Sequence, residues 1–242
     1  MTKAELNLAV LEGLTLSKGA HSPDGEYCLW EAVAAVAGEP WTDRPACGSP
    51  LLIDYGQKLN DEMPDALRQE LVPLIPMLVG TRGDVVTEGL RAAMLTNWYI
   101  REHLPALLRH ADLPQQADAL AALPAVTEEN AQAAVTAVQD AAWDVRAAWA
   151  ARDAWDAWAA WDAWDARDAW AARAARAAWD ARAAWAATFD LTAQARAKAQ
   201  GIELTGDTIG AIMAPVVEEM WRSQIALFRR LIEAGPHGEV TP

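Results

Sequence analysis

The residues best suited to chemistry lie close together in the first fifty positions of the chain. They are His21, Cys28, Glu31, Asp43 and Cys47. Imidazole nitrogen, thiolate sulfur and carboxylate oxygen are the ligands that Zn²⁺ takes in proteins, usually four in a tetrahedron. One hypothesis is therefore a metal site with His21, Cys28 and Cys47 as ligands. Either Glu31 or Asp43 would supply the fourth ligand, although this spacing matches no common zinc finger.

The same residues also permit thiol chemistry. Cys28 stands near the start of a predicted helix, a position that lowers the pKa of a thiol. In this second hypothesis Cys28 is a nucleophile, His21 is its base and Glu31 orients the imidazole. A third interpretation is structural, because small buried cysteines commonly pack in cores. Under that interpretation residues 21–25, His-Ser-Pro-Asp-Gly, form a capped turn.

Helices must position these residues, since apolar periodicity and capping signals predict helices throughout and no long strand. The predicted helices cover residues 2–14, 26–36, 49–63, 64–80, 86–110, 114–122 and 207–234. Gly38 is a predicted C-cap, and Ser49 followed by Pro50 predicts a helix start. Prolines at positions 73, 76 and 105 are expected to bend their helices. We predict an all-α fold with an N-terminal bundle of short helices, residues 1–125, and a second domain, residues 126–242.

The second domain contains a tripeptide repeat. Residues 142–186 form fifteen triplets of the type Ala-(Trp or Arg)-(Asp or Ala), in which Val145 is the only exception to the leading Ala. They lie inside a stretch of about 127–200 that contains no Gly or Pro. Ala is the best helix former, so we predict one very long helix, packed by the amphipathic helix at 207–234. Nine tryptophans fall in the repeat: Trp143, Trp149, Trp155, Trp158, Trp161, Trp164, Trp170, Trp179 and Trp185.

These indoles cannot share one face of a helix. Each triplet advances 300° on a spiral of 3.6 residues per turn, so successive indoles walk around the axis. A coiled-coil seam and a membrane-surface helix both need one apolar stripe, and the repeat offers neither. Such a helix is either covered by neighbours or adhesive. The indoles are thus core filler or a binding surface, and the repeat itself is also explained by tolerated expansion of a nine-base unit.

The composition of the chain limits the classes of partner that it is expected to bind. The formal net charge of -14 argues against binding to nucleic acid or to an anionic membrane, both of which attract Lys and Arg. Two cysteines make no disulfide framework. The chain contains no run of 18 apolar residues, so no transmembrane helix is predicted. The N-terminus lacks the features of a signal peptide. We therefore expect a cytoplasmic protein.

The N-terminal half resembles a family of uncharacterised proteins from actinobacteria and their phages. The resemblance is carried by the pattern HSxxxxxCxxEAVAxxAGEPWxDxPxCxSP at residues 21–50 and by residues 73–81, PLIPMLVGT. It covers roughly residues 15–125, and the Ala-rich tail matches by composition only. The resemblance implies a helical protein, encoded by a bacterium or a phage and located in the cytoplasm of a bacterial or phage-infected cell, and it carries no known activity. The family often has His where this chain has Arg44, which weakens the metal hypothesis.

Two function classes remain. The first is a non-enzymatic binding or scaffold protein that uses the Trp-rich helix to bind a protein partner, a second copy of the chain or a flat small molecule. The alternative is a metal- or thiol-dependent enzyme centred on His21, Cys28, Glu31 and Cys47, with Zn²⁺ as the possible cofactor. The composition favours the first class, because an indole-rich, acidic helix suits adhesion better than catalysis.

Overall fold

The structure is a computed structural model that describes residues 6–19, 21–22, 26–127, 130, 189 and 192–235. This part of the chain is mostly helical, and its only β pairing is an isolated bridge between Leu16 and Tyr27. The prediction of an all-α protein is confirmed at this level. The chain divides into two compact units, which are Met1–Arg91 with Trp221–Pro242, and Ala92–Met220. Within the described ranges, no helix is both long and apolar enough to cross a membrane.

Two predicted caps lie at the end of the first helix and at the start of the second. Helix α1, Leu29–Ala37, ends at Gly38, whose φ of 70° is the left-handed conformation that glycine adopts without strain. Helix α2, Pro50–Glu62, begins after Ser49, whose Oγ accepts a hydrogen bond from the Leu52 amide at 3.3 Å. Both local predictions are confirmed.

Prolines divide the next predicted helix, residues 64–80. Helix α3, Asp65–Arg68, is followed by a 3₁₀ segment, Gln69–Leu74, and by helix α4, Ile75–Leu78. Pro73 lies inside the 3₁₀ segment and Pro76 in the first turn of α4. A proline that cannot donate an amide proton interrupts the regular ladder of hydrogen bonds, so the predicted bend is in fact a succession of short pieces.

A long helical run follows. It consists of α5, Val85–Trp98, a π-helical turn, Tyr99–His103, and α6, Leu104–His110. Helix α7, Pro114–Ala121, matches the predicted helix at 114–122. Residues 192–200 are helical, and α8, Gly206–Glu233, matches the predicted C-terminal helix.

The N-terminal prediction is wrong over its described part. A helix was expected over residues 2–14, but residues 6–14 contain only a 3₁₀ segment, Leu8–Leu11. The Asn7 amide donates to the Val36 carbonyl at 2.9 Å, and Gly13 has a φ of 69°. A contact with the end of α1 and a left-handed residue thus replace the predicted helical turns.

Trp30 lies at the centre of the first unit. Its side chain is fully buried, and a Cβ added at Gly48 or Gly56 would lie 2.9 or 2.7 Å from its ring. The ring of Phe228 lies 5.8 Å from that of Tyr55. The two glycines leave the space that the indole occupies, so α1 and α2 approach closely.

The second unit has two apolar clusters. One joins α6 and α7 through Leu104, Leu108, Ala117 and Leu120. The other joins α6 to residues after the repeat through Leu107, Ala193, Met213, Val216 and Met220. Upstream of the repeat, the Asn97 side chain accepts from the Val126 amide at 2.7 Å and donates to its carbonyl at 3.2 Å. Residues on both sides of the repeat are therefore held within this unit.

The long helix predicted over about 127–200 lies largely outside the described residues. The predicted domains 1–125 and 126–242 stay predictions for the same reason, because most of the second one is not described.

Candidate functional site

Glu31 is the centre of the cluster predicted from the sequence. It is the third residue of α1, and its side chain is only 2% exposed. Its Oε1 accepts from the His21 amide at 2.7 Å, and its Oε2 accepts from the Cys28 amide at 2.8 Å and faces His21 Nδ1 at 3.0 Å. An ionised carboxylate only accepts, so Nδ1 carries the proton of this hydrogen bond.

The helix start explains why Glu31 turns back toward Cys28. Both interactions of a capping box are present, the side chain of Cys28 with the Glu31 backbone and the side chain of Glu31 with the Cys28 amide. The sequence Cys-x-x-Glu therefore does what Ser-x-x-Glu commonly does at helix starts. Two amides that would otherwise lack partners are satisfied in this way.

His21 is held from three sides. Its Nε2 lies 3.6 Å from Oε2 of Glu26, and its carbonyl accepts from Trp41 Nε1 at 3.0 Å. The Trp41 ring lies 4.9 Å from the ring of Tyr27. The predicted pairing of His21 with Glu31 thus exists, and the hydrogen bond from Trp41 joins His21 to the loop after α1.

Glu31 and Cys28 have opposite pKa shifts. Burial raises the pKa of Glu31, but the hydrogen bonds from Cys28 and His21 outweigh it and hold the pKa below the ordinary 4.5. Burial, together with the adjacent Glu31 charge, raises the pKa of Cys28 from 9.0 to about 12. The expected lowering of the thiol pKa by the helix start is therefore wrong, and at neutral pH Cys28 is a protonated thiol rather than a nucleophile.

Cys47 and Asp43 have partners of their own. The Cys47 amide donates to Oε1 of Glu39 at 2.8 Å, and burial raises the pKa of the Cys47 thiol to about 11. The carboxylate of Asp43 accepts from Gln57 Nε2 at 3.1 Å. Across the described ranges, no three or more His, Cys, Asp or Glu side chains form a group that could hold a metal ion. The metal hypothesis gains no support from this geometry.

Sequence reasoning missed Asn60. This buried residue of α2 accepts from the Leu29 amide at 3.1 Å and donates to the Ser17 carbonyl and to Asp61, each at 2.9 Å. Beside it lies a pocket of about 220 Å³, lined by Gly19, Cys28, Leu29, Trp30, Asp43, Gln57, Asn60 and Asp61. No local sequence pattern predicts the role of Asn60, because its partners Leu29 and Ser17 lie 31 and 43 residues away.

A second polar cluster was also missed. Ser49 Oγ donates to Glu88 at 2.6 Å, and Glu88 accepts from Arg91 Nη1 at 2.9 Å. Arg91 is fully buried and also donates to the carbonyls of Thr81 and Leu231, at 2.7 and 3.0 Å. Glu88 and Arg91 are three residues apart on a helix, and this spacing could have predicted their ion pair from the sequence.

The nine tryptophans of the repeat lie outside the described residues. Four others are described: Trp30 and Trp98 are buried, and Trp41 and Trp221 are half-buried. Comparisons with protein-family models, curated proteins and solved structures found no match. The resemblance to the actinobacterial and phage family therefore stays a prediction.

Proposed function

We propose that the chain is a non-enzymatic binding or scaffold protein, whose partner is engaged by the Trp-rich segment 143–185. The observation that carries the first half of this proposal is the state of Glu31. Within the part of the chain that the structure describes, its hydrogen bonds go to His21 and to the helix start at Cys28, and its side chain is 2% exposed. The neighbouring thiol of Cys28 has a pKa of about 12. Glu31 and Cys28, the best catalytic candidates, therefore make structural contacts.

The second half of the proposal rests on the sequence. Nine of the 13 tryptophans are concentrated in one segment, and large amphipathic indoles are favoured at interaction surfaces. The net charge of -14 disfavours nucleic acid and anionic membranes as the partner. A protein surface, including a second copy of this chain, is the partner that suits both features, and a flat aromatic molecule is an alternative occupant of the same indoles.

Light scattering on the full chain over a range of concentrations tests self-association. We expect the mass to rise with concentration, and the rise to disappear when Trp155, Trp158, Trp161 and Trp164 are changed to Ala. Alanine preserves helix propensity and removes the indoles. The matched control changes four arginines of the same segment to Ala: Arg152, Arg167, Arg173 and Arg176. A monomer at all concentrations, with its repeat indoles shielded from acrylamide, would contradict the proposed surface.

Alkylation of the native protein tests the non-enzymatic half. Because the thiol of Cys28 is 4% exposed and its pKa is about 12, iodoacetamide at pH 8 should label Cys47 first. Peptide mass spectrometry distinguishes the two sites. Preferential, rapid labelling of Cys28 would instead support the thiol-enzyme alternative.

A further inference from the structure

The second unit contains a π-helical turn between α5 and α6, at Tyr99–His103. The Leu104 amide closes it by donating to the Tyr99 carbonyl, five residues back. Pro105 follows directly and has no amide proton for an ordinary helical hydrogen bond. Such turns are uncommon and often mark positions where a helix has a second task.

This turn places a histidine in the interior. His103 is 6% exposed, and its ring lies 4.6 Å from the ring of Trp98 at an interplanar angle of 31°. The ring of Tyr99 lies 5.8 Å away on the same turn. Nδ1 of His103 is buried, and no group in the described part of the chain is hydrogen-bonded to it. Burial lowers the pKa of this imidazole from 6.5 to about 4.

Among the described residues, no charged group shifts the pKa of the imidazole and none is hydrogen-bonded to its Nδ1. Arg101 and Glu102 belong to the same turn, and Asp118 of α7 is paired with Arg109 of α6 at 2.9 Å. His110 of α6 is paired with a glutamate of α8 at 3.1 Å. Burial is the only cause given by the described structure for the shifted pKa of the buried ring. A proton added there would therefore have no carboxylate partner.

We propose that His103 is an acid-sensitive latch: the π-helical turn stays closed while the imidazole is neutral and opens locally when solvent protonates it. Closed, the ring stacks on Trp98 and links α5 to α6. Open, the imidazolium is hydrated and the contacts of α6 with α7 are released. The proposal is independent of the binding function, because it concerns described residues of the second unit only.

The direction and size of the effect follow from the pKa of the His103 imidazole, which is about 4 in the closed form and 6.5 in the open, hydrated form. Above pH 6.5 neither the closed nor the open form binds a proton at this ring. Below it, the open form is protonated first, so the opening equilibrium increases about tenfold per pH unit. The increase levels off near pH 4, where the closed form is also protonated, after a total change of about 300-fold.

Native-state hydrogen exchange of the amides at 99–110, followed by mass spectrometry from pH 7 to 4.5, tests the latch. After correction for intrinsic exchange, we expect opening in the wild type to increase as the pH falls. In His103→Phe, which keeps an aromatic ring and cannot be protonated, opening should not depend on pH. The control His110→Gln, at a half-buried histidine of the same unit whose side chain is 21% exposed, should keep the wild-type response.

A wild-type profile identical to that of His103→Phe overturns the proposal. If that variant does not fold, NMR titration of the four histidine rings in the wild type decides, with His103→Gln identifying the signal. A His103 midpoint near 4, together with acid-dependent exchange at 99–110, supports the latch. A midpoint near 6.5 overturns it, because the ring would then not resist protonation in the closed form.

Discussion

Replacing Glu31 with Gln separates a structural role from a catalytic one. The carboxylate accepts three hydrogen bonds, two from His21 and one from the Cys28 amide. A glutamine has one acceptor oxygen, and its NH₂ group would face donors. The backbone amides of His21 and Cys28 bind different oxygens of Glu31, so one of them then faces the NH₂ group and is left without an acceptor, which costs about 1–3 kcal/mol. We expect Glu31→Gln to lower the free energy of unfolding by about 2 kcal/mol.

Urea unfolding followed by circular dichroism measures this loss at pH 7, and alkylation of Cys28 in a Cys47→Ser background reports local opening at the same site. The effect should depend on pH. Because the pKa of Glu31 in the folded protein is below 4.5, its contribution is present above pH 4.5. It is lost as the pH falls through the folded pKa, so the wild type and Glu31→Gln should converge in acid.

Glu26→Gln is the matched control. Its carboxylate lies 3.6 Å from the same imidazole, but its side chain is 70% exposed, and exposed pairs contribute little. We expect less than about 0.5 kcal/mol. If Glu31→Gln is as stable as Glu26→Gln at pH 7, the capping-box interpretation of this cluster is refuted.

Three further substitutions test the packing, each measured by urea unfolding. Gly56→Ala should lower the free energy of unfolding by about 1–3 kcal/mol, because its Cβ would lie 2.7 Å from Trp30 Nε1. Gly89→Ala, on a helix with nothing within 4 Å of the added Cβ, should instead raise it by about 0.5–1 kcal/mol. Asn97→Ala should lower it by about 2 kcal/mol, because both backbone groups of Val126 lose a partner; unchanged stability would contradict a stabilising role of these two hydrogen bonds.

Local rules in the sequence predicted much of the fold. Gly38 and Ser49 act through neighbours within a few residues, so their caps could be identified without knowledge of the tertiary structure. The amphipathic pattern of Gly206–Glu233 likewise sufficed for a helix. The N-terminal helix failed because the Asn7 amide is bound by Val36, a contact that periodicity does not encode.

The sequence predicted which three residues lie together in the candidate site, but it did not predict the protonation state of the Cys28 thiol. His21, Cys28 and Glu31 do lie together. The position of Cys28 at a helix start favours a lower thiol pKa, but burial, which local spacing does not reveal, has the larger effect and raises the pKa of this thiol. The spacing of Cys28 and Glu31 already matched a capping box, with Cys in the place of Ser. Asn60 joins the start of α1 and the loop at Ser17 to α2 through partners that lie 31 and 43 residues away in the chain.

The buried guanidinium of Arg91 has a consequence for synthesis. Its acceptor on Leu231 is made 140 residues later, which at ribosomal speeds takes on the order of ten seconds. During that interval the N-terminal portion has neither this acceptor nor Phe228 to complete its interior. The first unit therefore completes its interior only after residues 228–231 have been synthesised, and termination before them would expose apolar surface that α8 covers.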